Sequence, residues 1–468
     1  MNHSKKKNTF AVFNQINFCF MIDFNNIGKH SYPWDVIMPF FRLAFVDLFF
    51  KERCVIGREN IPPPGTPIFI IANHQNSFND ALLLVSMFKD YRQPVSLARG
   101  DIFKKNFLAK IFRFWRVMPA FRTRDASSMS DIKENLITFQ IASKILVEGG
   151  VIIMFPEALH QQGRWLTTFK KGVPRVCFEA EAAANYNLKL QILPVNLHYS
   201  DIHKFREKVL IEIGKPFEIS ELFETYKNSP NDAYLKFNEK ARPIIKSMIV
   251  NIENDEYYKP CNLLREVVRL HNIRNNYKKY NYYDEFKEEK KAVAQMDTLR
   301  ENEPEKFESL MKETKEYSDL LDTLNFKDWL VNKKTTRFGL IARSFLWVLL
   351  SPFFLFSFIN NAIPWYVANW ATGKIKDKIF VGSVRFVISF FGLPTYYAIV
   401  CVIASLLTKS FLVGFSYTVL AFLSLFVYHH YRRFSIKLWH SWRYFQKKKT
   451  NEIKQLGSLK NSILLFFK

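Results

Sequence analysis

The chain has 468 residues, too many for one ordinary domain. Apolar residues make up 48% of it, with 47 Phe, which is high for a soluble enzyme and points to membrane contact. The net charge of +24 fits either nucleic acid or an anionic membrane surface with phosphorylated substrates; no zinc-finger, basic-zipper or RNP pattern occurs and the strongest basic clusters flank apolar spans, so no nucleic acid is expected and membrane lipids are.

Residues 1–33 read as an N-terminal tail. Lys5, Lys6 and Lys7 precede a moderately apolar run from Phe10 to Ile22, interrupted by Asn14, Gln15 and Asn17 and followed by no small-residue cleavage site. That is a poor signal peptide and a better mobile or surface-lying segment. Residues 34–50 are apolar but carry Asp35, Arg42 and Asp47. Three charges in so short a stretch make a poor span, so the expectation is an amphipathic helix lying in the membrane interface, with an ordinary core helix as the alternative. Five cysteines (Cys19, Cys54, Cys177, Cys261, Cys401) have neither metal nor disulfide spacing and read as reduced, structural thiols.

From Cys54 to about Gly214 apolar runs alternate with helical patterns. Strands are expected at 54–57, 67–72, 94–98, 116–119, 150–155, 190–197 and 208–213, and helices at 80–89, 102–114, 129–148 and 171–186. The fold class is therefore α/β, a mostly parallel sheet flanked by helices, with one domain over 34–220 that includes the leading amphipathic helix. Residues 221–336 are polar and helical in character, broken at Pro304, with Glu308 and Lys312 at helical i,i+4 spacing. Residues 337–432 form the membrane region. Phe386 to Thr408 is a run of 23 residues without a charge, and Phe411 to Tyr428 a second of 18. Each is long enough to cross as a helix, and Lys409-Ser410 leaves room only for a tight hairpin. Ser344 to Phe358 is apolar, short and carries Pro352; it reads as re-entrant or interfacial, with a full span as the alternative. Basic residues crowd both outer ends of the hairpin, at Lys374, Lys376, Lys378 and Arg385 and again at Arg432, Arg433, Lys437 and Arg443. The expected localisation is thus integral to the membrane with both ends, and the catalytic domain, facing the cytoplasm. Residues 433–468 are a basic C-terminal tail.

The stretch that promises chemistry is Ile68 to Leu84, an apolar run ending at Asn73-His74, then a polar turn, then Asp80 at the start of a helical pattern. A histidine at a strand's carboxyl end sits where α/β proteins place their sites. A carboxylate at a helix start is stabilised by the helix N-terminus. Bonded to one ring nitrogen, it fixes the tautomer and leaves the other nitrogen as a general base. Taken singly, His74 is equally a turn histidine and Asp80 an N-cap. No G-x-S-x-G elbow occurs, which argues against a serine hydrolase of that fold. His160, His198 and His203 form no metal-ligand motif, so no metal site is expected.

In order and spacing, NHQNSFND (73–80), FRTRD (121–125), FPEA (155–158) and LPV (193–195) resemble the four motifs of the glycerolipid acyltransferases, which acylate glycerol-3-phosphate and lysophosphatidic acid. The resemblance covers roughly residues 40–220, and residues 360–386 resemble the long form of the family with its C-terminal membrane region. It implies a catalytic His74 and Asp80. It also implies a phosphate-binding Arg122, with Arg124 as the nearby rival and Arg99 as another cation near a strand end, and an acceptor-binding Glu157. Arginine suits bidentate phosphate recognition. It implies no cofactor; the partners are acyl-CoA or acyl carrier protein as donor and a glycerol-phosphate acceptor. Two departures stand out. Five residues rather than four separate His74 from Asp80, with Asn79 at the common position, and Ala158 replaces the motif glycine. The alternatives are a lysophospholipid acyl-chain remodelling enzyme and a non-catalytic lipid-binding membrane protein of the same fold.

Overall fold

The computed structural model describes residues 24, 26–88, 90, 92–103, 106–120, 129–157, 163–275, 280–375 and 380–467. The chain divides into two compact units, residues 1–249 and 250–468. The candidates Arg122 and Arg124, together with Ala158 and His160, lie outside the described residues.

The first unit is built on seven strands: β1 (Glu52–Ile56), β2 (Ile68–Ala72), β3 (Val95–Arg99), β4 (Val117–Ala120), β5 (Val151–Met154), β6 (Gln191–Tyr199) and β7 (Lys208–Ile213). Their order in the sheet is β1-β7-β6-β2-β5-β3-β4, and every neighbouring pair is parallel except β6 with β7. The sheet is thus mostly parallel and flanked by helices, in agreement with the α/β expectation. The unbroken apolar run Ile68 to Ala72 has the composition of a strand covered on both faces, and all five residues are fully buried in the middle of the sheet. Its carboxyl end lies between those of β5 and β6, with Ile71 opposite Met154 and Ala72 opposite Val195. Helices Met129–Val147 and Gly172–Ala183 bring Ala142, Leu146, Val173, Val176 and Phe178 against Phe69, Ile152 and Ile192 in one core.

Two elements depart from the expected outlines. Helix Pro230–Met248 belongs to this unit rather than to the polar region that follows it. Its stripe of Ala233, Phe237, Ala241 and Ile245 is buried in the same core, and Asn196 Nδ2 donates to Met248 O at 2.9 Å. The leading helix, Tyr32–Phe41 continuing as a π-turn segment over Arg42–Leu48, buries Trp34, Met38 and Phe41, with both Trp34 and Phe41 against Trp115. On its other side Tyr32, Val36, Phe40 and Leu43 form an exposed apolar stripe at helical spacing.

The second unit is helical. Helices Tyr258–Asn275 and Tyr282–Asn302 are joined by ion pairs, a buried one of Arg265 with Glu289 at 2.5 Å and a partly buried one of Arg269 with Glu285 at 2.6 Å. Pro304 begins the next helix, Pro304–Leu324, at the position where its missing N–H costs nothing. Beyond them, two helices among the described residues are long and apolar enough to cross a membrane, Phe380–Thr408 and Phe411–Lys447. Lys409, with φ of +52°, ends the first, and Ser410 caps the second. Helices Arg337–Leu349 and Ser351–Gly373 form a pair bent by 50° at Leu350. A polar network ties the bent pair to the hairpin. Tyr397 OH donates to Asn361 Oδ1 at 2.5 Å, Asn361 Nδ2 to Ser424 Oγ at 3.0 Å, and Tyr417 OH to Asn360 Oδ1 at 2.7 Å. Such bonds hold helices together where lipid supplies no hydrophobic driving force.

Candidate active site

The site is assembled where β2 ends. Asn73 bridges to the neighbouring strand twice, donating from Nδ2 to Leu197 O at 2.9 Å and accepting from Leu197 N at 2.8 Å. The chain then leaves the sheet at His74 and turns into helix Phe78–Ser86. Ser77, with φ of +47° and ψ of −127°, takes the unusual conformation in this turn. A non-glycine residue held there is strained. It is in this turn that the fifth residue between His74 and Asp80 is accommodated, so that Asp80, in the helix's first turn, still faces back to the histidine.

His74 Nδ1 and Asp80 Oδ2 are 2.8 Å apart. The Asp80 side chain is fully buried and the His74 side chain is 13% exposed. Asp80 Oδ2 also accepts from the backbone N–H groups of Gln75 and Asn76, each at 2.8 Å. Those two N–H groups therefore serve the carboxylate and not a reacting oxyanion. The His74 ring stacks on Phe155, with centroids 3.9 Å apart and planes 10° from parallel. With Nδ1 committed to Asp80 and the ring face to Phe155, Nε2 is the nitrogen that can exchange protons.

Glu157, at the end of β5, is 2% exposed. Its Oε1 accepts from His74 N at 3.2 Å, and its Oε2 from Thr167 N at 2.9 Å and Thr167 Oγ1 at 2.7 Å. Burial pushes its carboxyl above the usual range, and the bonds from Thr167 and His74 offset part of that rise. The structure thus brings His74, Asp80 and Glu157 together. Arg99 is half-buried at the end of β3, two strands from β2, with β5 between them.

Several participants were given no role of their own by the sequence reading. Tyr199, at the end of β6, donates from its hydroxyl to Asp80 Oδ1 at 2.5 Å. Burial, then the neighbouring Asp80 charge, push that phenol well above its ordinary value. Arg164 bonds His198 Nδ1 at 3.1 Å and donates to Tyr199 O at 3.1 Å, and Gln75 Nε2 donates to Gly163 O at 3.0 Å. Thr167 and Phe155 complete the set. Phe155 was legible as part of FPEA, and Arg164 as an arginine shortly after it. Nothing in the local pattern around Tyr199 points to a residue 119 positions upstream. Among the described residues no group of three or more His, Cys, Asp or Glu side chains is placed to hold a metal ion.

Residues 52–198 match the family described as Acyltransferase. That stretch is thus similar to the acyltransferase family. The matched range contains every element that forms the site except the last residue of β6, Tyr199, which directly follows it. The chain is 26% identical over 341 residues to glycerol-3-phosphate O-acyltransferase 2 of Saccharomyces cerevisiae, covering 52% of this chain and 45% of that protein. It is 30% identical over 149 residues to a 1-acyl-sn-glycerol-3-phosphate acyltransferase of Chlamydomonas reinhardtii, covering 32% of this chain and 39% of that one. The 1-acyl-sn-glycerophosphate acyltransferase PlsC of Thermotoga maritima, a crystal structure, is similar at 20% identity and a TM-score of 0.33, covering 52% of this chain and 88% of that one. The chain spans about half the length, or less, of the curated relatives it matches.

Proposed function

We propose that the protein is a membrane-bound O-acyltransferase of phospholipid synthesis. It moves a fatty acyl group from acyl-CoA or acyl carrier protein to the hydroxyl of glycerol-3-phosphate or lysophosphatidic acid. The observation that carries this is the 2.8 Å pair of His74 and a fully buried Asp80 at the carboxyl end of the central strand. In this reading His74 Nε2 takes the proton of the acceptor hydroxyl as its oxygen attacks the thioester carbonyl carbon. The new C–O bond forms, the C–S bond breaks, and the imidazolium returns its proton to the departing thiolate. Asp80 holds the imidazole in the required tautomer and stabilises the cation formed on it, as the aspartate of a hydrolase triad does for its histidine. The substrate's own hydroxyl stands where such a hydrolase has its serine, so no acyl-enzyme forms.

The phosphate of the acceptor is assigned to Arg122, with Arg124 and Arg99 as the other candidates, because guanidinium groups match a phosphate bidentately. Glu157 shapes the acceptor side of the site, since its two oxygens join the His74 backbone to the segment carrying Thr167. The catalytic domain faces the cytoplasm, where thioester donors are made, a placement supported by the basic residues at both outer ends of the hairpin.

The test is transfer from radiolabelled acyl thioesters to glycerol-3-phosphate, dihydroxyacetone phosphate and lysophosphatidic acid in turn. His74→Ala should lower the rate by about 10²–10⁴ while the protein still inserts and folds, the loss expected for a missing general base. Activity near that of the parent would remove His74 from the reaction. No transfer by the parent to any acceptor would leave a lipid-binding protein of the same fold.

A further inference from the structure

The Asp80 carboxylate is held unevenly. Three donors, His74 Nδ1 and the N–H groups of Gln75 and Asn76, meet Oδ2, and Tyr199 OH meets Oδ1. The three on Oδ2 all come from residues 74–76, the turn that carries the histidine, so they move with it. Tyr199 comes from a different element. β6 pairs with β2 as far as Ala72 opposite Val195, then runs on through Leu197, whose N–H and C=O both bond the Asn73 side chain, to Tyr199, paired with Val209 on β7. Strand alternation puts 195, 197 and 199 on one face. Arg164 holds the Tyr199 carbonyl. Tyr199 is 1% exposed, so no water competes for its hydroxyl.

We propose that Tyr199 is a positioning residue for the acyl-transfer site, fixing the plane of the Asp80 carboxylate to the sheet and thereby the orientation of His74. This rests on the acyltransferase reading above. A carboxylate bonded through one oxygen pivots about that oxygen, whereas one held at both oxygens presents a fixed lone pair to the imidazole. The phenol does not touch substrate or give up its proton, which its environment makes harder to remove. It acts through Asp80 alone.

Tyr199→Phe keeps the ring and its packing and removes the hydroxyl. It should lower kcat about tenfold, the loss expected for one hydrogen bond to a charged group. KM for both substrates should stay within about twofold, because the lost interaction counts in the transition state and not in substrate binding. In an Asp80→Asn background the same change should have little further effect, a non-additivity that a general packing role would not produce. A second readout needs no turnover: the downfield Nδ1 proton signal of His74, assigned by its absence from His74→Ala. In Tyr199→Phe it should move further downfield, because Asp80, short of one donor, accepts more strongly from the imidazole. A kcat within twofold of the parent with an unmoved signal overturns the proposal. So does a tenfold loss that is fully additive with Asp80→Asn. If the parent transfers no acyl group but the signal moves, the acyltransferase reading falls and the positioning of His74 through Asp80 stands.

Discussion

Glu157 shows how a buried charge is kept for the geometry it imposes. Its three accepted bonds join the His74 backbone to Thr167, and its burial raises its carboxyl above the model-compound value of 4.5. The sign of the resulting pH dependence follows directly. The folded protein holds that proton at pH values where the unfolded chain has lost it, so stability falls as pH rises from about 4.5 through the folded value. Glu157→Gln removes this titration. Whatever constant offset the lost bonds introduce, the melting temperature of the variant relative to the parent should rise as the pH is raised through that window. A difference that stays flat with pH would show that the Glu157 carboxyl is not raised by folding. At this scale the sequence was informative where spacing was short. His74, Asp80 and Glu157 stand in local motifs that place them at strand and helix ends, where the structure brings them together. Tyr199 could not be read, because its partner is distant in the chain and a Tyr closing an apolar strand is ordinary. The role of the Gln75 and Asn76 N–H groups was hidden too, since backbone donors leave no mark in a sequence.

Among the elements, continuous apolar runs located the strands within a residue or two, because strands covered on both faces cannot alternate. β6 was expected to stop at 197 and reaches Tyr199, since β7 goes on pairing with it after β2 has ended. Helix Pro230–Met248 was placed with the polar region by composition, although Ala233, Phe237, Ala241 and Ile245 at four-residue spacing mark the face that joins it to the core. The turn between β2 and the following helix offers its own test. Ser77 sits at a φ of +47° that glycine adopts without a Cβ penalty. Ser77→Gly should therefore stabilise the fold by about 1 kcal/mol, the relief of strain exceeding the added freedom of the unfolded chain. Thermal unfolding measures it. A lower melting temperature would mean that the Ser77 side chain, itself buried, contributes more than the strain costs.

For the molecule as a whole the open choice is the number of membrane crossings, and the contacts within the second unit argue for two. The bent pair starts beside the outer end of the hairpin's second helix, where Trp442 Nε1 donates to Ser344 Oγ at 2.9 Å and Trp347 Nε1 to Ser435 Oγ at 2.7 Å. It reaches furthest toward the hairpin turn at Asn360 and Asn361, through Tyr417 and Ser424. It then finishes beside the outer ends again, with Arg432 over Trp365 at 4.8 Å and Arg385 Nη2 donating to Asn369 Oδ1 at 3.3 Å. A segment whose first and last contacts lie at the basic ends enters and leaves on one side, and its amide-rich middle is satisfied by the hairpin instead of by water. Single cysteines placed at Ser410, Gly373 and Thr450, in a background without the five native cysteines, distinguish the arrangements. Gly373 has open space where a Cβ would stand, so the substitution there is sterically neutral. With an impermeant thiol reagent, Ser410 should react from one side of the membrane, and Gly373 and Thr450 from the other. By the positive-inside rule, that other side is expected to be the cytoplasm. If Ser410 and Thr450 react from the same side, the hairpin does not cross. If Gly373 sides with Ser410 while Thr450 does not, Phe380–Thr408 fails to separate them and the two-crossing hairpin is wrong.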